Sequence, residues 1–211
     1  MAESTATNQA TNDSIGRAVW EFVQTILLAL LIFLLIRNVA QNYRIDGISM
    51  EPNFHDGQFL IVNRFAYCPG LHLDIPFTDI HLSRTWCVRQ PERGDVIVFE
   101  YPRDPSRDFI KRVIGVPGDT VEIRSGRVYI NGNLMSEPFG PNPGSYSAAP
   151  VVVGEGEVYV MGDNRNNSSD SHMWGNLNQD LIIGKAWVSY WPPRHWSAIP
   201  NFDLSVAAQA P

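Results

Sequence analysis

The sequence has few cysteines and lacks the short motifs that mark the commonest cofactor sites. Two cysteines are too few for a disulfide scaffold, and they are not spaced as zinc ligands. No GxxxxGK[ST], HExxH or complete GxGxxG motif occurs, and no internal repeat is visible. We therefore expect a function that needs no metal, nucleotide or other cofactor.

Charge is also scarce. Charged residues make up 18% of the chain and hydrophobic residues 44%, a balance typical of a globular part joined to a membrane segment. The formal net charge of −6 argues against nucleic-acid binding, which needs a basic face. The length of 211 residues suits one domain with an anchor.

An apolar run near the N-terminus is the candidate anchor. Ala18–Ile36 spans 19 residues, and Thr25–Ile36 carries no charge. A helix that crosses a bilayer needs roughly 20 such residues. A buried core helix should show a polar stripe, but the second half of this run shows none. A signal peptide should be followed by a small-x-small cleavage site, and none follows the run. We predict a disordered cytoplasmic tail over 1–17 and a retained transmembrane helix over 18–38.

Residues 39–211 are predicted to form a mainly β domain with little helix. Asn131-Gly132 is the strongest signal for a tight hairpin, within a smaller β subregion expected over 120–157. Tryptophans 187, 191 and 196 are expected to serve core and C-terminal packing, with a role at the membrane as the alternative. The predicted strands are Gly57–Arg64, Arg93–Pro102, Phe109–Val116, Thr120–Arg124, Arg127–Ile130, Glu157–Met161 and Ile182–Tyr190.

Residues 66–91 contain three prolines and both cysteines, and they are expected to form an irregular insertion loop. In an oxidising compartment Cys68 and Cys87 would form a disulfide. Two unpaired thiols are the alternative.

A lone serine stands in a turn-like stretch, Tyr43–Pro52. Ser49 lies between Ile48 and Met50, with a glycine two residues before it and a proline three after. A glycine and a proline at these positions favour a turn that exposes one side chain. By itself, however, a serine of this kind is more often an ordinary surface hydroxyl.

Two adjacent cations lie in the predicted strand Phe109–Ile114. Alternation places Lys111 and Arg112 on opposite faces, and both faces are otherwise apolar. In one interpretation the aliphatic parts of these side chains pack against apolar residues while their charged groups reach water. In the other, Lys111 is buried away from water, and its lowered pKa lets it accept a proton from a serine hydroxyl.

A run of small polar residues, Gly162–His172, follows a predicted strand. It is either a solvated loop or a rigid loop whose side chains cap one another and orient a base.

Four segments, in this order, resemble the boxes of bacterial type I signal peptidases. They are Gly47–Pro52, Arg93–Phe99, Phe109–Asp119 and Gly162–Ser171, and the resemblance covers residues 18–190. It implies a coiled β-sheet body on the outer face of the plasma membrane, held by one span with the N-terminus cytoplasmic. It also implies the activity: removal of signal peptides with small residues one and three positions before the cut.

The resemblance assigns roles by position. Ser49 would be the nucleophile and Lys111 the general base, with Ser168 hydrogen-bonded to the lysine and Asp170 behind it. The implied partners are signal peptides of exported preproteins and the lipid bilayer, whereas the oligomeric state stays open. The rivals are a Ser/Lys autoprotease of the repressor-cleaving kind and an inactive, membrane-tethered β module.

Two positions depart from the family pattern. Many members carry a serine where this chain has Gly47, and its hydroxyl joins the nucleophile's N–H in the oxyanion hole. Gly47→Ser would supply that donor if the backbone tolerates a side chain. The polar loop usually ends in an arginine paired with the aspartate two before it, but here it ends in His172, which leaves a permanent salt bridge to Asp170 in doubt.

Overall fold

The computed structural model describes residues 17, 19–33, 39–67, 70–74, 81–85, 89–200, 202 and 204, with the backbone alone over 70–74 and 81–85. The chain divides into two compact units, Met1–Ala40 and Gln41–Pro211. In the first unit residues 19–33 are helical. No helix among the residues described here is long and apolar enough to cross a membrane.

The second unit is built mainly from strands. They are β1 (Ala40–Arg44), β2 (Phe59–Asn63), β3 (Gly70–Asp74), β4 (His81–Thr85), β5 (Val96–Tyr101), β6 (Asp104–Gly115), β7 (Thr120–Arg124), β8 (Arg127–Ile130), β9 (Asn133–Leu134), β10 (Ala148–Val152), β11 (Glu157–Met161), β12 (Leu177–Asn178), β13 (Ile182–Trp191) and β14 (Ser197–Ala198). Short helical turns cover Arg165–Asn167, Ser171–Trp174, Gln179–Leu181 and Pro193–His195. The mainly β class predicted from the sequence is therefore confirmed.

The main sheet has the order β1-β2-β13-β5-β6-β11-β12, and β14 pairs with β13. Its centre is antiparallel: β5 pairs along β6 from Val96↔Arg112 to Glu100↔Asp108. By contrast, β11 reaches β6 only at its far end, where Met161 lies opposite Arg112 and Tyr159 opposite Gly115. This pairing brings the predicted base strand beside the start of the polar loop.

A second sheet has the order β10-β7-β8-β9. The hairpin between β8 and β9 turns at Asn131 and Gly132, whose φ angles of 53° and 81° are those that an Asn-Gly turn requires. The predicted hairpin is thus confirmed. Strand β10 was not predicted, because prolines dominate Pro138–Pro150, yet it pairs with β7 from Ala148↔Ile123 to Val152↔Thr120.

Three apolar clusters hold this unit together. One lies under the second sheet, one lies between β5, β6 and β11, and the third packs beneath the Ser49 turn. The third cluster consists of Ile45, Met50, Phe54, Leu60, Val96 and Ala186, with Ile110 packed against it. Its members come from the turn and from strands of the main sheet, so burial of this cluster ties the turn to the sheet.

Two expectations about this unit are wrong. Residues 66–91 are not wholly irregular, because β3 and β4 form an antiparallel hairpin within them. The sequence signal was the alternation Gly70-Leu-His-Leu-Asp74, which the neighbouring prolines obscured. Trp187, Trp191 and Trp196 are not core residues: they are 57%, 54% and 74% exposed.

The predicted pair Cys68 and Cys87 lies outside the described residues. The structure does describe parts of the insertion on either side of it. The hairpin pairs Gly70 with Thr85 and Leu71 with Arg84. At the base of the insertion, the hydroxyl of Tyr67 donates to Asp95 at 2.8 Å, and the guanidinium of Arg89 donates to the same carboxylate at 2.9 Å.

We expect a Cys68–Cys87 disulfide in protein made in an oxidising compartment, where such bonds form and persist. Closing a loop of this size is worth roughly 3 kcal/mol in the chain-entropy account. The measurement is thiol alkylation during unfolding, with and without prior reduction. Two alkylated cysteines in unreduced protein would contradict the expectation.

Candidate active site

A tight turn presents the predicted nucleophile. The N–H of Gly47, at φ +99°, donates to the Asp56 carboxylate at 2.8 Å, which closes the turn from its far side. The next residue after Ser49, Met50, is fully buried, and its carbonyl accepts from the N–H of Phe54 at 3.0 Å. Ser49 itself stays partly exposed between these anchors.

The predicted base meets this serine directly. Lys111 on β6 is only 3% exposed, and its Nζ lies 2.8 Å from Ser49 Oγ and 2.8 Å from the Ile110 carbonyl oxygen. Burial lowers the pKa of Lys111 to about 8, although the negative charges of Asp170 and Asp163 act in the opposite direction. At neutral pH a substantial minority of this amine is therefore uncharged and able to accept a proton.

The second cation of the strand has a different partner. Arg112, 1% exposed, donates to both carboxylate oxygens of Asp163 at 2.9 and 2.7 Å. Asn53 of the serine turn also donates to Asp163, at 2.9 Å. This buried pair was not predicted; the available signal was that a buried arginine needs a carboxylate. It links the serine turn, the lysine strand and the polar loop.

The polar loop is folded around the Asp170 carboxylate, which is fully buried. Asp170 accepts from the N–H of Gly162 at 2.9 Å and caps the helical turn Ser171–Trp174 through the N–H of His172 at 3.2 Å. The ring Nδ1 of His172 lies 2.6 Å from Asp170 Oδ1. Histidine at this position therefore still contacts the aspartate.

Asn164 fastens the polar loop to the serine turn. Its N–H donates to the Ser49 carbonyl at 3.0 Å, and its side-chain amide donates to the Ile48 carbonyl at 3.1 Å. Sequence reasoning missed this residue, because an asparagine in a polar run gives no signal of a partner more than a hundred positions away.

Ser168 does not make the predicted hydrogen bond to Lys111. Its Oγ is buried and has no hydrogen-bond partner among the described residues. Ser168 lies against Gly162, where an added Cβ would come within 2.3 Å of that Oγ. The lysine Nζ is directed instead to Ser49 and to the Ile110 carbonyl.

The oxyanion expectation at Gly47 also changes. The N–H of Gly47 is held by Asp56, so it is not directed at a substrate. A side chain at φ +99° is strained even though the space around it is open. The condition under which Gly47→Ser would add a donor is therefore not met.

Gly162 is the point of closest approach between turn and loop, and Gly162→Ala should lower kcat at least about 100-fold. A methyl group there would lie 2.5 Å from the Ser49 carbonyl oxygen, a backbone atom already held by Asn164. The turn must then move relative to Lys111, and a displacement near 1 Å costs about that factor. Peptide-cleavage kinetics measure it.

Gly154→Ala is the matched control, because its added methyl meets only the end of the Glu157 side chain. Wild-type kcat in a folded Gly162→Ala protein would contradict the packing argument.

A cavity of about 460 Å³ adjoins Ser49 and Lys111. Its lining includes the apolar residues Ile48, Leu60, Val98 and Ile110 and the charged residues Arg107 and Asp108. A larger cavity of about 800 Å³ lies elsewhere, around Arg93 and Pro117. Within the described part of the chain, no group of three or more His, Cys, Asp or Glu side chains could hold a metal ion.

Comparison with known proteins identifies the relatives of this fold and site. The sequence model of a family described as "Signal peptidase, peptidase S26" matches residues 19–191. A probable signal peptidase I-1 from Synechocystis sp. is 36% identical over 197 residues, which cover 88% of this chain and 91% of the relative. The signal peptidase I of Pseudomonas aeruginosa is 33% identical, covering 87% of this chain and 77% of its own.

A crystal structure of a signal peptidase I from Enterococcus faecalis is 33% identical, with a TM-score of 0.40, and it covers 46% of this chain and 97% of its own. The relatives and the family are peptidases, and this chain is a serine endopeptidase. The chain belongs to the signal peptidase family, peptidase S26.

Proposed function

We propose that the protein is a membrane-anchored type I signal peptidase that removes signal peptides from exported preproteins through Ser49 and Lys111. The observation that carries the proposal is the 2.8 Å separation of Ser49 Oγ and Lys111 Nζ, with the lysine buried. A lysine at its ordinary pKa of about 10.4 is only about one part in a thousand neutral near pH 7.4. Because burial lowers the pKa of Lys111 to about 8, a much larger fraction of its amine is neutral at this pH.

In the proposed first step, neutral Lys111 takes the proton of Ser49 as Oγ attacks the carbonyl carbon of the scissile peptide bond. The Ser49 N–H is proposed as one donor to the developing oxyanion. The tetrahedral intermediate then collapses, and the Lys111 ammonium returns its proton to the leaving amine. The mature protein is released, and the signal peptide stays bound as an ester of Ser49.

The second step uses the same lysine. Lys111 removes a proton from water as the water oxygen attacks the ester carbonyl, and Ser49 is re-protonated when the acyl bond breaks. The proposed roles of Ser168 and Asp170 differ. Asp170 supplies a negative charge behind the lysine and closes the polar loop on Gly162, whereas Ser168 packs at their junction.

An extended substrate fits the edge of β6. Residues 108–111 of this strand pair with β5 on one side, and in the described chain β11 pairs with the other side only from Arg112 onward. A peptide lying along this open edge would gain main-chain hydrogen bonds, and its side chains would enter the adjoining cavity. Small residues before the cut are the proposed preference, and the apolar residues among those that line the cavity beside Ser49 support it.

The membrane anchor and topology are part of the same proposal. Ala18–Ile36 is apolar, and Trp20, Phe22 and Leu27 are 63%, 65% and 58% exposed. The exposed Trp187, Trp191 and Trp196 suit a lipid interface, where an apolar ring with one polar atom is stabilised. We propose a cytoplasmic N-terminus with residues 39–211 outside, which protease digestion of intact and opened cells would test.

Cleavage of a synthetic Ala-x-Ala peptide in detergent tests the activity, with Ser49→Ala beside the wild type. We expect cleavage after the second alanine by the wild type and none by Ser49→Ala. Absence of cleavage by folded, full-length wild type would support the inactive β module instead. Cleavage only within the enzyme's own chain would support the autoprotease.

A further inference from the structure

A segment of the second sheet lies across the polar loop. We call it the strap, residues 137–146, which runs between β9 and β10. Proline, glycine and serine make up much of this segment. The N–H of Arg165 donates to the Asn142 carbonyl at 3.2 Å, and Asn142 and Asn164 form a parallel bridge. The strap therefore follows the loop that carries Ser168 and Asp170.

Two strap side chains contact groups that support the lysine. Glu137 forms an ion pair with Arg165, which is 2% exposed and also donates from Nε to the Gly162 carbonyl at 3.2 Å. Phe139 is buried under the Arg112 guanidinium, with 4.2 Å between the guanidinium carbon and the ring centroid.

Tyr146 adds a third contact at the other end of the loop. Its ring stacks on His172, with 4.3 Å between the ring centroids and 24° between the planes. His172 in turn lies on Asp170. Gly162 and Asp170 of the polar loop are joined by one hydrogen bond of 2.9 Å. The strap contacts Arg165, which donates to Gly162, and His172, which contacts Asp170.

From these contacts we infer that Glu137 is a positioning residue for Ser49 and Lys111, acting through Arg165 and Gly162. The chain of contacts is short. Glu137 holds Arg165, Arg165 holds the Gly162 carbonyl, and Gly162 is the site where the loop packs on the Ser49 carbonyl. The inference rests on the proposed function, because its effect is read in peptide cleavage.

Removing Glu137 has an electrostatic consequence as well as a mechanical one. The charges that face Lys111 are Asp170 and Asp163, and Arg112 is paired with Asp163. Without Glu137, the buried Arg165 cation remains unpaired on the same loop. An uncompensated positive charge there disfavours the charged form of Lys111.

The test compares Glu137→Ala with Glu137→Gln and Glu122→Ala in the full-length protein. We expect kcat to fall roughly 10- to 100-fold in Glu137→Ala. We also expect the acid limb of kcat/KM to move to lower pH by about 0.5 unit. Glu137→Gln keeps an oxygen that accepts from Arg165, so its kcat should lie near wild type, but it removes the negative charge, so its acid limb should move as in Glu137→Ala. Glu122→Ala removes the partner of Arg124, an exposed pair in the same sheet, and should change neither quantity.

Folded Glu137→Ala with the kcat and pH limb of Glu122→Ala would overturn the inference. If Glu137→Ala does not fold, Asn166→Ala decides, because Asn166 is exposed and bonds the strap at Ser145 and Pro143. That variant should lose about three- to tenfold in kcat, and wild-type kinetics would overturn the inference. A wild type that cleaves no Ala-x-Ala peptide would instead remove the proposed function itself.

Discussion

Lys111→Arg is expected to abolish peptide cleavage as fully as Ser49→Ala, at every pH at which the protein is folded. Arginine keeps the positive charge and much of the stem, but its guanidinium does not give up a proton in a protein. It therefore cannot accept one from Ser49, whose Oγ lies 2.8 Å from the amine that it replaces. The measurement is cleavage of an Ala-x-Ala peptide by purified variants of verified fold.

The matched control is Lys185→Arg, the same substitution at the other lysine of the chain. Lys185 lies on β13, away from Ser49, and forms an ion pair with Asp95. Because arginine can retain that ion pair, activity should persist. Arg112→Lys is a poor control, because Arg112 is buried and donates twice to Asp163. Substantial cleavage by folded Lys111→Arg would end the assignment of Lys111 as the base.

The wild-type pH profile belongs to the same prediction. If neutral Lys111 is the base, kcat/KM should rise with pH through the lowered pKa of about 8 and then level off. A lysine whose charge reached water would give no such limb below about pH 9. A flat profile between pH 6 and 9 would therefore contradict the mechanism even if Lys111→Arg were inactive.

The fold was predictable wherever local chemistry decides it. Strands β7, β8 and β11 begin and end as predicted, since alternation and turns such as Asn131-Gly132 act over a few residues. Strand β10 and the first part of β6 were missed. Both contain a proline, Pro150 and Pro105, which argues against a strand unless its missing N–H falls where no ladder bond is needed. That depends on a partner strand that the sequence does not reveal.

The site was predictable to the extent that its chemistry is carried by residue type. A lysine among apolar neighbours and a serine in a turn left an ordinary and a catalytic reading open, and the family resemblance assigned their roles. The structure brings the two side chains together. The supporting contacts were not predictable. Arg112 pairs with Asp163, 51 positions away, and Ser168 Oγ packs beside Gly162 without a hydrogen-bond partner among the described residues. The Arg112–Asp163 pair and the environment of Ser168 both depend on how the loop packs against the sheet, which the local sequence pattern does not encode.

The burial that lowers the pKa of Lys111 should also destabilise the fold, and Lys111→Met should reveal by how much. The pKa falls from 10.5 in the unfolded chain to about 8 in the folded protein. At 1.36 kcal/mol per unit, a difference of about 2.5 units corresponds to roughly 3 kcal/mol. The unfolded state therefore binds more protons between these two values, so stability rises with pH across that window.

The difference in unfolding free energy between Lys111→Met and wild type should therefore depend on pH in a defined way. Below about pH 8 the lysine is charged in both states, and the full cost of about 3 kcal/mol is present in the wild type only. Between about pH 8 and 10.5 that cost declines to zero. Methionine also loses the hydrogen bonds to Ser49 and Ile110, which shifts the whole curve without changing its shape.

Urea unfolding of both proteins in one detergent, from pH 7 to 10.5, measures the difference, in which all other titrating groups cancel. A difference in unfolding free energy that stays constant across this range would show that Lys111 keeps an ordinary pKa in the folded protein, and it would remove the physical basis for its action as a base.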